Sequence, residues 1–251
     1  MDAEADAFFY HPELRGEIVD PLQSAMRGFT TADMAAKATA LGLPQGWWHA
    51  DEAREAMRRK TLAGRRDGDL WVFGYGSLMW DPAVRFAEVR RAQVPAYARR
   101  FILKDIYGGR GTKEAPGLMA ALDKAPDRGR AGCDGLLFRI RRDLVEAETT
   151  VLWRREKIGP AYRAKFVTAY IDAEPITALT FVADHRAKII AAELTRQEQI
   201  HFLATGAGFL GSSLDYLRNV AKKLEALGIH DEAVASLLRE TEAYAKALTE
   251  A

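Results

Sequence analysis

Cysteine is almost absent from this sequence, in which Cys133 is the only one among 251 residues. A lone cysteine forms no intrachain disulfide and cannot build a cysteine-based zinc site. Cys133 could still act as a nucleophile, but the surrounding letters "GCDGLLFRI" are typical of the start of a buried strand. We therefore expect it to be a small residue of the core.

An excess of charge of either sign is absent too. The chain has 36 Lys and Arg against 35 Asp and Glu, a formal net charge of +1. Such a chain has no global field to attract nucleic acid or an anionic membrane, and neither is expected as a partner. A local cluster of arginines favours a solvated sheet face, with an anion-attracting rim as the alternative: Arg90, Arg91, Arg99 and Arg100.

Long hydrophobic runs are missing as well. No uninterrupted apolar stretch approaches the ~18 residues of a membrane span, and the acidic N-terminal letters lack the pattern of a signal peptide. No two of the five histidines are spaced to hold a metal ion, and no serine stands in a Gly-x-Ser-x-Gly elbow. The sequence predicts a cytoplasmic protein and favours neither a metal site nor a Ser-His-Asp hydrolase.

Two units are predicted along the chain. Residues 1–68 read as an N-terminal helical extension, with short helices in "TADMAAKATALGLP" and "ADEAREAMRRKTLAG" and a polar connection in "GRRDGD". Residues 69–251 form the second unit. Its first part contains segments typical of strands: "LWVFGY", "QVPAYARRFIL", "GLMAALD", "DGLLFRI", "AKFVTAYID" and "ITALTFVA".

Helices interrupt and then follow these strands. One is predicted from about Arg142 to Lys157, and three more come after Asp184. A run of strands followed by helices, without strict alternation, indicates an α+β protein with a mainly antiparallel sheet. Short strands of similar length also suit a curled, barrel-like sheet flanked by helices.

The interrupting helix, "RDLVEAETTVLWRREKIG", carries a carboxylate in an unusual position. Its apolar face contains Leu144, Val145, Val151 and Leu152. Steps of three and four residues from Leu152 lead to Arg155 and Glu156, so Glu156 extends the inward face. A buried carboxylate has a raised pKa, which suits general acid–base catalysis. The alternatives are a solvated helix end, or a pair with Arg155 or Lys157.

Glycines bracket a turn in "WVFGYGSLMW". Gly74 and Gly76 let a ligand approach the backbone amides, which can form a concave set of donors; an ordinary hairpin is the alternative. A second glycine-rich turn, "TGAGFLGSSLDYLRN", stands directly before a helix that Ser212 or Ser213 can cap. Tyr216 lies near the first turn of that helix.

Four separated pieces, "FGYGSLMW", "GTKEAPGL", "WRREKIGPAYR" and "GFLGSSLDYL", together resemble the ChaC-like γ-glutamylcyclotransferase family from about Leu70 to about Gly228. The resemblance implies a γ-glutamylcyclotransferase-like fold for the catalytic unit, residues 69–251. It also implies an enzyme that converts glutathione into 5-oxoproline and Cys-Gly, without a metal or organic cofactor.

The resemblance further implies roles for individual residues. Glu156 would be the catalytic acid and base, and the late Tyr216 would touch substrate. A loop would hold the γ-glutamyl group through its backbone donors: Tyr75, Gly76, Ser77 and Leu78. Three cations are candidates to bind the glycine carboxylate of glutathione, and their spacing in the sequence singles out none of them: Arg110, Lys113 and Arg163.

The sequence leaves two alternatives open. The same fold and glutamate could act on another γ-glutamyl peptide or on a γ-glutamylamine. The protein could also be a non-catalytic regulatory binding protein. The sequence leaves the oligomeric state and the role of residues 1–68 open.

Overall fold

A seven-stranded sheet is the centre of the fold. The computed structural model of the chain describes residues 6–125 and 132–250. The strands of the sheet are β1 (Leu70–Gly74), β2 (Glu88–Pro95), β3 (Tyr97–Asp105), β4 (Gly117–Lys124), β5 (Gly132–Ile140), β6 (Tyr162–Ile171) and β7 (Glu174–Ala183). A short ribbon, β8 (Ala207–Gly208) and β9 (Gly211–Ser212), lies outside it.

Helices stand before, within and after the sheet. They are α1 (Ala25–Gly28), α2 (Thr31–Ala40), α3 (Asp51–Thr61), α4 (Val145–Glu156), α5 (Arg196–Thr205), α6 (Ser213–Ala226) and α7 (Glu232–Glu250). Local capping explains several of their starts. Thr30 and Asp33 form a reciprocal capping box at α2, and Thr195 and Glu198 form another at α5. No helix in the described ranges is both long and apolar enough to cross a bilayer.

Five of the strands close into a barrel. The hydrogen-bonded order runs β1-β5-β2-β6-β7, and β7 pairs again with β1 in parallel. The other pairs of this ring are antiparallel, and the β3–β4 hairpin extends the sheet from β7. The prediction of an α+β protein with a mainly antiparallel, barrel-like sheet flanked by helices is confirmed.

One predicted strand is in fact two. The segment "QVPAYARRFIL" belongs to both β2 and β3, which are separated by Ala96 at φ 61°. Pro95 has no amide to donate to a neighbouring strand, which favours a strand end there. The chain then turns, because β2 pairs with β5 whereas β3 pairs with β4. An apolar run reports burial but does not reveal such a reversal.

The barrel interior is a continuous apolar core. Phe73, Leu137 and Ala178 are fully buried in it. Cys133 belongs to the same cluster, and burial raises the pKa of its thiol to about 11. The prediction of a small core cysteine is therefore confirmed.

Helices cover the barrel on two sides. Val151, Leu152 and Trp153 of α4 pack against one side of the sheet. Leu217 and Val220 of α6 pack against the other side. The end of α4 and the start of α6 are the two places where the candidate site is built.

The N-terminal segment, residues 6–68 of the described chain, packs on the outer face of α4. Arg58 of α3 donates to Thr149 Oγ1 at 2.8 Å. Arg27 of α1 binds the buried Glu148 through two hydrogen bonds of 2.6 and 2.9 Å. A bidentate ion pair fixes the relative orientation of the two side chains in addition to supplying electrostatic attraction. The division of the chain at residues 68 and 69 stays a prediction, and residues 1–5, 126–131 and 251 lie outside the described ranges.

Candidate active site

Glu156 is held at the end of α4 with little access to solvent. The helix buries Leu152 and Trp153, and the next residues on the same side are Arg155 and Glu156. The Glu156 side chain is 13% exposed. Burial raises the pKa of Glu156 above its ordinary value, and the charge and hydrogen bond of Arg155 offset part of the rise.

Arg155 connects Glu156 to the glycine-bracketed turn. Its Nε donates to Glu156 Oε1 at 2.9 Å, and its Nη2 donates to Ser77 Oγ at 2.8 Å. Its Nη1 donates to the carbonyl of Asp81. The pairing with Arg155 that the sequence left open as an alternative is thus present, but it occurs inside the protein. Lys157 points elsewhere and donates to the carbonyl of Tyr162.

The turn after β1 keeps several amides available. Ser77–Met79 forms a 3₁₀ turn in which Met79 N donates to Gly76 O at 2.8 Å. The amides of Gly76, Ser77 and Leu78 donate to no other residue in the described part of the chain. A 3₁₀ turn leaves its first amides without internal partners, so this turn can donate to an anion or a carbonyl oxygen.

The side chains of Tyr75 and Leu78 lie outside the cavity described below. Tyr75 is buried in the barrel core and its hydroxyl donates to Phe181 O at 2.8 Å. Leu78 packs in the apolar cluster beneath α4. Any contact of these two residues with a ligand must therefore use their backbone, as the family resemblance implies.

Gly76 lies directly beneath the hydroxyl of Tyr216. A Cβ atom at position 76 would stand 2.6 Å from that oxygen, so a larger residue fits only if the turn or Tyr216 moves. The Tyr216 ring packs edge-on against Trp80 and Phe101. Burial raises the pKa of Tyr216 to about 12, so its hydroxyl stays protonated and can donate.

The start of α6 is tied to the loop that follows β3. Ser212 is the capping residue and accepts from Asp215 N at 3.0 Å. Ser213 Oγ accepts from Leu118 N at 2.9 Å and donates to Arg110 O at 3.1 Å. Ser212, one of the two predicted caps, therefore caps the helix, whereas Ser213 anchors the loop and so fixes the position of Tyr216.

Arg99 corrects the prediction of a solvated arginine face. Its side chain is only 2% exposed. It donates to Tyr75 O at 2.7 Å, to Asp134 O at 2.6 Å and to a carboxylate oxygen of Asp231 at 2.6 Å. Arg99 therefore holds the backbone of the glycine-bracketed turn from inside the fold. Its partners are distant in sequence, so no local pattern predicts this contact.

A cavity of about 550 Å³ opens between the end of α4 and the start of α6. Of the predicted site residues, Ser77, Glu156 and Tyr216 line it. Arg110 also lines it, with its guanidinium 5.0 Å from the centre of the Tyr216 ring. The other two candidate cations do not: Lys113 is exposed on its loop, and Arg163 is 57% exposed beside Asp184.

The charge of the cavity favours an anionic ligand. The lining contains five cationic side chains and three carboxylic acids. The cationic residues are Lys37, Lys104, Arg110, Arg154 and Arg155, and the acids are Asp81, Asp105 and Glu156. Low-dielectric walls strengthen this field inside the cavity.

Residues of the N-terminal segment also line the cavity, which sequence reasoning missed. They are Ala25, Met26, Phe29, Met34, Lys37 and Trp47. The adjacent Trp47 and Trp48, in the connection between α2 and α3, are the one local signal that could have indicated a contact surface. Within the described ranges, no group of three or more His, Cys, Asp and Glu side chains is arranged to hold a metal ion.

Comparison with known proteins identifies relatives of this chain. A family model described as "ChaC-like protein" matches residues 70–244. The chain is 34% identical over 193 residues to the glutathione-specific γ-glutamylcyclotransferase of Escherichia coli K12, covering 76% of this chain and 80% of that protein. It is 31% identical over 183 residues to the human glutathione-specific γ-glutamylcyclotransferase 1, covering 69% and 80%.

A solved structure shares the fold. The crystal structure of a yeast γ-glutamylcyclotransferase specific to glutathione superposes with a TM-score of 0.64 at 19% identity. The match covers 71% of this chain and 97% of the yeast chain. At this identity the likeness concerns the fold, in agreement with the α+β barrel described above.

Proposed function

The chain belongs to the ChaC-like protein family, and we propose that it is a glutathione-specific γ-glutamylcyclotransferase that releases 5-oxoproline and Cys-Gly. The observation that carries the proposal is a buried carboxylate, Glu156, joined through Arg155 to Ser77 in the turn at the cavity wall. Glutathione as the small-molecule substrate and the predicted cytoplasmic location are parts of the same proposal.

In the proposed reaction, the α-amine of the γ-glutamyl group attacks its own γ-carbonyl carbon and closes a five-membered ring. An amine is not nucleophilic while it is protonated, so a base must first remove a proton. Glu156 is that base: it is largely buried, and its raised pKa suits proton exchange nearer neutral pH. Both reacting groups belong to one molecule, so the enzyme needs mainly to hold a folded conformer.

The turn at Gly76–Leu78 is proposed to hold the γ-glutamyl group. Its amides donate to no residue in the described part of the chain and can bind the substrate α-carboxylate. The protonated hydroxyl of Tyr216, close to Gly76, can donate to the same group or to the carbonyl oxygen that gains charge. Donors fixed in place before the reaction stabilise developing charge without reorganisation.

The second half of the reaction needs a proton for the departing amine of Cys-Gly. Protonated Glu156 can return the proton it took to the departing nitrogen, and the C–N bond breaks as 5-oxoproline forms. The second proton, which the ring nitrogen loses as it becomes an amide, passes to the freed amine, and Cys-Gly leaves with an ammonium group. One carboxylate thus serves as base and then as acid. Arg155 is proposed to position Glu156 and to favour its charged form before each cycle.

A product assay with the purified chain tests this function. We expect glutathione to be converted into 5-oxoproline and Cys-Gly in equal amounts, with a higher kcat/KM than γ-glutamyl-alanine. Faster turnover of γ-glutamyl-alanine would instead favour another γ-glutamyl substrate. Binding of glutathione without any release of Cys-Gly would favour the regulatory alternative.

We also expect a characteristic pH dependence of kcat/KM. Because Glu156 must be ionised to accept a proton, activity should rise as the pH increases through its pKa. That pKa is raised from the ordinary 4.5, so the midpoint of the acidic limb should lie above pH 4.5. The measurement is kcat/KM for glutathione from pH 4 to 8, which reports groups of the free enzyme.

A second group in the cavity provides the control for this assignment. Burial also raises the pKa of Asp105, whose carboxylate accepts from Tyr107 N at 2.8 Å and from Arg110 N at 2.5 Å. The residual kcat/KM of E156Q should not fall at acidic pH, whereas the kcat/KM of D105N should still show the acidic limb. A limb that persists in E156Q, or a midpoint at or below pH 4.5, would contradict the role of Glu156.

A further inference from the structure

We propose that the N-terminal segment forms the subsite for the Cys-Gly half of the substrate, and that Lys37 binds its terminal carboxylate. The inference rests on the proposed function and concerns the part of glutathione that leaves. Residues 25–47 lie outside the region matched by the family model, 70–244, so this subsite is not part of the family pattern.

The segment forms one wall of the cavity. Met26, Phe29, Met34 and Trp47 contribute apolar and aromatic surface, and Lys37 contributes a cation. Ser77, Glu156 and Tyr216 line the same cavity from the barrel and its helices. A tripeptide held at its γ-glutamyl end by the turn at Gly76 spans roughly 10 Å when extended. Its far end must therefore meet residues other than those that hold the γ-glutamyl group.

Hydrogen bonds hold the segment on both sides of the catalytic helix end. Arg154, two residues before Glu156, donates through Nη2 to Arg27 O at 2.8 Å. Ile158, two residues after Glu156, accepts through its carbonyl from His49 N at 2.8 Å. The segment is therefore attached where Glu156 lies.

Trp47 makes this wall rigid. Its ring stacks on Tyr107 with centroids 4.4 Å apart and an interplanar angle of 6°. A Cβ atom at Gly159 would stand 2.9 Å from the Trp47 ring, so the ring lies directly against the backbone just beyond α4. A wall built from stacked rings keeps a fixed shape, which is the condition for discriminating between leaving groups.

Lys37 is the cation best placed to bind the terminal carboxylate of the Cys-Gly half. Arg155 is already paired with Glu156, and Arg110 lies over Tyr216, on the γ-glutamyl side. The Lys104 ammonium lies 4.5 Å from the ring of Phe202, which does not line the cavity. Arg154 is engaged through Nη2, which donates to Arg27 O at 2.8 Å.

The Lys37 ammonium lies beside the turn between β8 and β9, at the cavity wall. It is 5.0 Å from the ring of Phe209, which lines the cavity. Phe209 N donates to Gly108 O at 2.9 Å, so the β8–β9 ribbon is docked on the loop that carries Arg110. Lys37 forms no ion pair with a carboxylate in the described ranges, and its charge is thus available to a substrate.

The test compares two substrates that differ only in the terminal carboxylate: glutathione, and glutathione amidated at the glycine carboxyl. For K37M we expect the KM for glutathione to rise about tenfold while kcat changes less than about twofold, since a hydrogen bond to a charged group is lost. The wild-type protein should prefer the free acid by a similar factor, and K37M should treat both substrates alike.

Two further variants complete the experiment. K37R should restore most of the preference for the free acid, because arginine also binds carboxylates. Lys60 is exposed on α3 and does not line the cavity, so K60M is the matched control and should behave as wild type. If K37M kept the wild-type preference for the free acid, the assignment of Lys37 would be overturned.

Calorimetric binding of both ligands separates this inference from the proposed function. If the purified chain bound glutathione without turning it over, the cyclotransferase proposal would fail. The Kd values would still test whether Lys37 binds the glycine carboxylate. K37M should then weaken binding of glutathione about tenfold and leave binding of the amide unchanged. An equal loss for both ligands would show that Lys37 has no specific role.

Discussion

Replacing Glu156 with Gln is expected to lower kcat/KM for glutathione by about a thousandfold or more, while the fold and glutathione binding are retained. Glutamine has nearly the same shape but cannot accept the amine proton or return it to the leaving group. General acid–base groups contribute typically 10²–10⁴-fold each, and here one group performs both transfers. The Gln oxygen can still accept from Arg155 Nε, so the contact with the turn is kept.

The measurement is steady-state release of 5-oxoproline, together with thermal unfolding and calorimetric binding of glutathione. Glu225 is an exposed glutamate on α6, the helix that carries Tyr216. E225Q removes the same charge without touching the cavity, and it should retain wild-type kinetics. An E156Q protein with more than about a tenth of wild-type activity would exclude Glu156 as the proton carrier.

Replacing Gly76 with Ala should give the second largest loss, about a hundredfold in kcat/KM. The added Cβ would stand 2.6 Å from the Tyr216 hydroxyl, so either the turn or Tyr216 must move. Tyr216 is 3% exposed and packs against Trp80 and Phe101, which leaves it little room. A displacement of about 1 Å at a positioned group can cost about a hundredfold in rate.

A double-mutant cycle checks the cause of this loss. In Y216F the oxygen that clashes with the new Cβ is gone, so adding G76A should cost much less than it does in the wild-type background. Activity in each variant is measured with glutathione, and thermal unfolding checks that the fold is retained. Equal costs of G76A in both backgrounds would show that the clash with the hydroxyl does not explain the effect.

Much of the fold could be predicted from the sequence, because the signals are local. Apolar segments bounded by turn residues indicated the strands, and the run of strands before the late helices indicated an α+β protein. The periodicity of α4 placed Glu156 on its inward side, and the structure buries that side chain. The catalytic role of Glu156 and the substrate contacts of the turn stay predictions.

Other features could not be predicted because they depend on residues far apart in the chain. Arg99 looked like part of a solvated face, yet it is buried beneath the turn with partners from β5 and from the segment before α7. The reversal at Ala96 was hidden inside one apolar run. The contribution of Lys37 and Trp47 to the cavity depends on how the N-terminal segment docks, which no periodicity describes.

Three features follow from the order of residues alone: the glycine-bracketed turn after β1, the inward position of Glu156 on α4, and the resemblance to a known family. The turn and the position of Glu156 depend on residues that are close in sequence, and the order of residues specifies their spacing and backbone freedom. Three other features depend on tertiary contacts: which charges are buried and paired, how five strands close into a barrel, and which segment completes the cavity. Those outcomes follow from desolvation and packing between distant parts of the chain, whose energies exist only once the chain has folded.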